Sequence, residues 1–190
     1  IHNMQTKDID ENLHIVRIGT DRKHYVEKEE LAAELPSFTE GLIEYLSNCQ
    51  RRPDVIHAHF ADAAQVASVI QRRFGIAFVF TPHSLGIDKQ AQGVTCNGLD
   101  QRIESERSAI ADASAIIVST AEEADRQIGA YCQSAKRKIH VVPPGVPRLP
   151  MPVDKSQASV LLEAWFERPR LPIILAVSRP VTKKNLASLL

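Results

Sequence analysis

The segment Thr81-Pro82-His83-Ser84-Leu85-Gly86-Ile87-Asp88-Lys89 places an imidazole, a hydroxyl, a glycine and a cation on one short stretch of chain. It follows Ile76-Ala77-Phe78-Val79-Phe80, an uncharged run of β-branched and aromatic residues that reads as a strand buried on both faces of a parallel sheet. Open α/β sheets bind ligands at the loops leaving the carboxyl ends of their strands, so His83, Ser84 and Lys89 are candidate ligand contacts. Within this loop Gly86 is expected to let the chain turn and Pro82 to restrict its approach. A second cluster, His57-Ala58-His59-Phe60-Ala61-Asp62, leaves the run beginning at Val55. Histidines at i and i+2 of an extended segment share a side, and with His83 they could form a metal site. No carboxylate or thiolate at ligand spacing completes that set. The plainer reading packs one histidine in the interior and uses Asp62 to cap the next helix, and an intermediate one has His59 and Phe60 lining a pocket.

Two further groups carry cations. In Arg102-Ile103-Glu104-Ser105-Glu106, Arg102 and Glu106 stand one helical turn apart, the spacing of an ordinary ion pair. Lys89 and Arg102 flank a polar stretch, residues 90 to 100, and could converge on an anion beside the His83 loop. In Ser178-Arg179-Pro180-Val181-Thr182-Lys183-Lys184-Asn185, Arg179 and Lys184 follow an apolar run and precede a helix-like pattern. A guanidinium fork, an ammonium and a helix start suit a diphosphate; a solvated basic turn is the bland alternative.

The charge balance, 23 Lys+Arg against 23 Asp+Glu, provides no global field for nucleic acid or a membrane surface. Apolar residues make up 44%, and no run approaches the roughly 20 residues of a membrane span. The opening IHNMQTKDID lacks the pattern of a signal peptide. Cys49, Cys96 and Cys132 are dispersed and odd in number, which favours free thiols in a reducing cytoplasm. The partner expected is therefore a small molecule. Both ends read as cut: the chain opens on Ile and stops inside an amphipathic pattern, so a fragment of a longer protein is expected.

The elements that must position these groups alternate. Strands are expected at 14–18, 55–58, 76–80, 115–118 and 139–142, and helices at 28–49 with an interruption at Pro36, 61–74, 101–111 and about 121–131. Ala63, Val66, Ala67 and Ile70 should form the buried face of the helix that Gly75 closes. Thr120-Ala121-Glu122-Glu123 reads as a capping box. This alternation implies right-handed βαβ units in a doubly wound, Rossmann-like α/β sheet over residues 1–146. Five prolines between Pro143 and Pro152 suggest a stiff linker spanning 147–170. A strand at Pro172–Val177 would begin a second Rossmann-like domain in 171–190.

Taken together, HAHFADA, TPHSLGIDK, RIESE, IIVST, VVPPGV and LAVSRPVTKKNLASLL, with KHYVEKEELAAELPSF near the start, resemble the sucrose-phosphate synthase group of retaining GT-B glycosyltransferases, in this order and over nearly the whole chain. The resemblance implies transfer of a hexosyl unit from a nucleotide sugar, UDP-glucose or GDP-mannose, to fructose 6-phosphate. The GDP-mannose variant would be a mannosylfructose-phosphate synthase, and a degenerate sugar-phosphate-binding module is the non-enzymatic alternative. His83 would lie beside the transferred hexose. Phe60, Ser84, Lys89 and Arg102 would line the acceptor pocket, with Lys89 and Arg102 on the acceptor phosphate. Arg179 and Lys184 would bind and stabilise the departing diphosphate. No metal is required for such a cation pair, although Mg²⁺ could stimulate binding. Phe60 stands where many members of the group carry Tyr, and His24 where a lysine is expected. A Gly-rich loop and a paired-glutamate region of the group fall outside the chain.

Overall fold

The structure is a computed structural model that describes residues 3–22, 24–27, 30–91, 93, 98–146, 154–166, 174–180 and 184–189. It divides into two units, Ile1–Gly145 and Val146–Leu190. The first is built on a four-stranded parallel sheet whose spatial order follows the chain: β3 (Val55–His59), β4 (Ala77–Thr81), β5 (Ala115–Val118) and β6 (Ile139–Val141). An antiparallel hairpin precedes it, β1 (Met4–Asp8) paired with β2 (His14–Ile18). β1 is a strand the sequence pattern did not suggest, because its residues after Met4 are polar or charged and exposed.

Helices make the crossovers: α1 (Leu31–Asn48), α2 (Phe60–Phe74), a short α3 (Gly86–Ala91) and α4 (Leu99–Asp112). A wide-turn segment, Glu123–Ile128, then runs into α5 (Gly129–Tyr131), and a tight 3₁₀ segment, Gln133–Lys138, leads into β6. Pro36 does not interrupt α1, which stays helical through it. The ring removes one backbone bond near the amino end, and packing of α1 on α2 around Leu46, Val66, Ile70 and Ile76 holds the remaining turns.

One face of the sheet carries Ala58, Phe78, Phe80, Ile116 and Val118 into the main core. Phe78 and Phe80 are fully buried, each contributing about 1.5–3 kcal/mol. The other face is more open. Val79 and Ile117 are only half-buried and Ala77 is exposed, so β4 is not sealed on both sides as its composition suggested. On α2 it is Ala64 rather than Ala63 that is buried; the helix beds two faces, Ala64 and Ala67 in the main core, Val66 and Ile70 against α1. Gly75 closes α2 in the left-handed region (φ 72°), where its N–H bonds the Gln71 carbonyl. At the head of the next helix Thr120 Oγ1 accepts the Glu123 N–H, and the Glu123 carboxylate accepts the Ser119 N–H, so the capping box forms with its return bond shifted by one residue.

In the second unit, α6 (Lys155–Trp165) lies inside the stretch read as linker, its first N–H groups taken by the Asp154 carboxylate. The strand expected over Pro172–Val177 is not formed at residues 174–177, which are exposed and have no ladder partner. A strand needs a neighbour for its backbone groups, and no neighbouring strand pairs with it among the described residues. A 3₁₀ turn follows at Leu186–Leu189.

Candidate functional site

β3 and β4 are in register, His57 opposite Val79 and His59 opposite Thr81, so both histidines rise on the open face of the sheet at its carboxyl end. Their rings lie 4.2 Å apart. His57 Nε2 is 2.8 Å from Thr81 Oγ1. Burial, and then the neighbouring His59 and His83, push its imidazole below the ordinary histidine value. The plain reading of this motif holds for the hydrogen bond, whereas Asp62 makes no side-chain cap and sits in the first turn of α2.

His83 joins them from the loop after β4. Its Nε2 lies 2.7 Å from His59 Nδ1, and the two rings are inclined by only 24° with centroids 5.0 Å apart. Phe60 packs on His83 at 4.7 Å. Both residues adopt left-handed backbone, φ 68° for Phe60 and φ 60° for His83. Each such conformation costs a non-glycine residue about 1–3 kcal/mol, and side chains kept under that strain at neighbouring strand ends make this a candidate functional site. The Ser84 N–H closes a three-residue turn onto the Pro82 carbonyl at 2.7 Å, and Leu85 anchors the loop in the core. The turn is therefore made at His83 rather than at Gly86. Gly86 has a different reason: a Cβ there would meet Ile103 Cγ1 at 2.8 Å and Glu106 Oε2 at 3.1 Å. It is the close approach of α3 to α4, not a left-handed angle, that requires glycine.

Glu106 is the anchor of this approach. Its carboxylate, 1% exposed, accepts the Gly86 N–H at 2.7 Å, Arg102 Nε–H at 2.7 Å and the Tyr131 hydroxyl. Tyr131 Oη in turn accepts the Ile87 N–H. Burial, and then the bond to the Glu106 carboxylate, push the Tyr131 phenol above its ordinary range. The ordinary ion pair between Arg102 and Glu106 thus exists, yet it does not exhaust the guanidinium. Arg102 Nη2 also donates to the Ser84 carbonyl at 2.8 Å and to Ser84 Oγ at 3.2 Å, and its side chain remains 20% exposed. Tyr131 was invisible to sequence reasoning, since it lies 25 residues from Glu106 and carries no local motif.

The structure brings Phe60, His83, Ser84 and Arg102 to one solvent-facing locality, and places Lys89 in the last turn of the adjacent α3, half-buried. A narrow crevice lined by Thr81, His83, Ser119, Glu123 and Gln127 extends this locality to the end of β5. Much of the polar stretch between Lys89 and Arg102 lies outside the described residues, as do Cys96, residues 181–183 of the basic turn, and Lys23 beside His24. Arg179 and Lys184 are exposed residues of the second unit. His59 and His83 face each other nitrogen to nitrogen instead of opening onto a shared ion, and among the described residues no group of three His, Cys, Asp or Glu could hold a metal. Among the described residues no helix is long and apolar enough to cross a membrane.

A parallel sheet with ligand-type side chains at its carboxyl end is common to many enzymes, and comparison with known proteins narrows the choice. Residues 10–145 match the glycosyl transferase 4-like domain. The chain belongs to this family. It is 26% identical to Sucrose-phosphate synthase 4 of Arabidopsis thaliana, covering 93% of the chain and 23% of that protein. Against Probable sucrose-phosphate synthase 1 of Oryza sativa subsp. japonica the identity is 29%, over 93% of the chain and 22% of the relative. The chain therefore spans about a quarter of the length of these curated relatives. Among solved structures, sucrose-phosphate synthase from Thermosynechococcus elongatus superposes with TM-score 0.66 at 21% identity, over 83% of this chain and 39% of that one. The catalytic domain of starch synthase IV from Arabidopsis thaliana, bound to ADP and acarbose, gives TM-score 0.53 at 16% identity, over 76% of this chain and 37% of that one. At these identities the structures establish the fold, which is the GT-B type.

Proposed function

We propose that this chain is the acceptor-side part of a retaining glycosyltransferase that moves a hexosyl unit from a nucleotide sugar to fructose 6-phosphate, of the sucrose-phosphate synthase type. The observation that carries the reading is the convergence of Phe60, His83, Ser84 and Arg102 at the carboxyl ends of β3 and β4, in a chain that aligns with sucrose-phosphate synthases over 93% of its length. In this reading Arg102, already tied to Ser84 and Glu106, offers its exposed N–H groups to the acceptor phosphate, and Lys89 adds a second positive charge. Phe60 and Ser84 bound the acceptor sugar, and His83 contacts the transferred hexose. Arg179 and Lys184 stabilise negative charge on the departing diphosphate, an electrostatic role that needs no covalent nucleophile. Mg²⁺ would enter only as a stimulant of donor binding. The protein would work in the cytoplasm on small-molecule substrates.

The reading is tested in two steps. Calorimetric titration of residues 1–190 should show binding of fructose 6-phosphate and at least tenfold weaker binding of fructose, with no turnover, since the chain spans about a quarter of its relatives' length and catalysis needs donor and acceptor held together. The complete polypeptide should then deplete UDP-glucose or GDP-mannose, supplied separately, only when fructose 6-phosphate is present. Equal affinity for both acceptors, or no depletion of either donor, would remove this function; depletion of GDP-mannose alone would assign the mannosylfructose-phosphate synthase type.

A further inference from the structure

The imidazole that this reading assigns to the hexose is not held by its own loop alone. Nε2 of His83 lies 2.7 Å from Nδ1 of His59, a separation that only an N–H···N hydrogen bond allows, so one proton lies between the two rings. The ring centroids are 5.0 Å apart and the planes inclined by 24°, so the rings meet edge to edge and nearly coplanar, as a bond in the ring plane requires. Phe60 packs on His83, and beside His59 stands His57, itself tied through Nε2 to Thr81 Oγ1. Neither ring of the pair can turn away without breaking one of these contacts, and Nε2 of His83 is already engaged. The remaining ring nitrogen of His83, Nδ1, has no hydrogen-bond partner among the described residues.

We propose that His59 is a positioning residue that presents Nδ1 of His83 to the hexose and sets whether that nitrogen donates or accepts. The inference rests on the functional reading above, because it concerns the sugar that His83 would meet. A sharing of one proton couples the two tautomers. If His59 carries its proton on Nδ1 and donates it, His83 accepts at Nε2 and must carry its own proton on Nδ1. If His83 donates from Nε2, His59 accepts at Nδ1 and carries its proton on Nε2. In both neutral arrangements the two rings have the same tautomer, which is not required of two independent histidines. The contact that His83 makes with a sugar oxygen is thus coupled to the proton on His59, a residue that need not touch the substrate.

Long-range ¹H–¹⁵N spectra of ¹⁵N-labelled residues 1–190 at pH 8 read the tautomer of each ring directly. The expected result is one shared tautomer for His59 and His83. His59→Phe keeps an aromatic ring without the nitrogen and should return His83 to the mixed tautomers of a free imidazole. His59→Asn places an amide nitrogen or oxygen near the Nδ1 position and should restore a single tautomer. In the complete polypeptide His59→Phe should lower kcat at least tenfold while the KM for fructose 6-phosphate changes less than twofold, and His59→Asn should recover a substantial part of kcat. Unlike tautomers in the unsubstituted chain overturn the inference without any variant having to fold. So do equal kcat losses in the Phe and Asn variants. If the unsubstituted polypeptide transfers no hexose, the functional reading falls and this inference falls with it; transfer accompanied by unlike tautomers removes the inference alone.

Discussion

Replacing Glu106 with Leu tests whether the approach of α3 to α4 depends on one buried carboxylate. The substitution keeps most of the side-chain volume and deletes the acceptor for three donors: the Gly86 N–H, the Tyr131 hydroxyl and Arg102 Nε–H. Arg102 is 20% exposed and can turn to water, so little of the cost falls there. The Gly86 N–H and the Tyr131 hydroxyl are buried, and each unsatisfied group costs about 1–3 kcal/mol. The two groups together bring the expected total to about 3–5 kcal/mol. That is a large part of the roughly 5–15 kcal/mol that holds a domain folded, and corresponds to a fall of about 10 °C or more in Tm. Glu106→Gln should cost less, about 1.5–3 kcal/mol, because its oxygen can still serve Gly86 and Tyr131 while its amide faces Arg102. Urea unfolding followed by far-ultraviolet circular dichroism measures both. A Leu variant within about 1 kcal/mol of the unsubstituted chain, or a Gln variant less stable than Leu, would refute the network as the anchor of this loop.

Other expectations follow from the same geometry. Arg102→Ala in the complete polypeptide should cost about 1.5–3 kcal/mol in kcat/KM with fructose 6-phosphate and little with fructose; equal losses would return Arg102 to a purely structural role on Ser84 and Glu106. His83→Gly removes the imidazole at a left-handed position that glycine accepts without strain, so turnover should fall at least tenfold while Tm is held or raised; a folded variant with normal turnover would take His83 out of the reaction. His57 is neutral more readily in the folded than in the unfolded chain, so its contribution to stability is present above about pH 6.5 and is lost as pH falls through the lower folded value. His57→Gln should flatten that acid slope, and an NMR titration placing His57 above the ordinary histidine value would contradict it. Lys138 Nζ donates to the carbonyls of Ile110, Ala111 and Ala113 at the end of α4, at 3.2, 2.6 and 2.9 Å, and Lys138→Met should destabilise the unit by about 1–3 kcal/mol in urea.

The alternation of strands with helices, the end of α2 at Gly75, and the capping box at Thr120 and Glu123 were legible in the chain because each depends on neighbours within a turn or two. The position of the site was legible for the same reason: a buried apolar run, followed by His83 and Ser84, marks the carboxyl end of a parallel strand. Local pattern does not carry the pairing between distant segments. His59 meets His83 across 24 residues because β3 and β4 lie in register, and Glu106 meets Tyr131 across 25 because α4 and α5 pack around one core. The crowding that demands glycine at Gly86 is likewise a product of how closely α3 is drawn onto α4. Residues 174–177 give the complementary case. Their apolar, β-branched composition has the propensity of a strand, yet they remain unpaired and exposed, because a strand exists only where another backbone completes its hydrogen bonds.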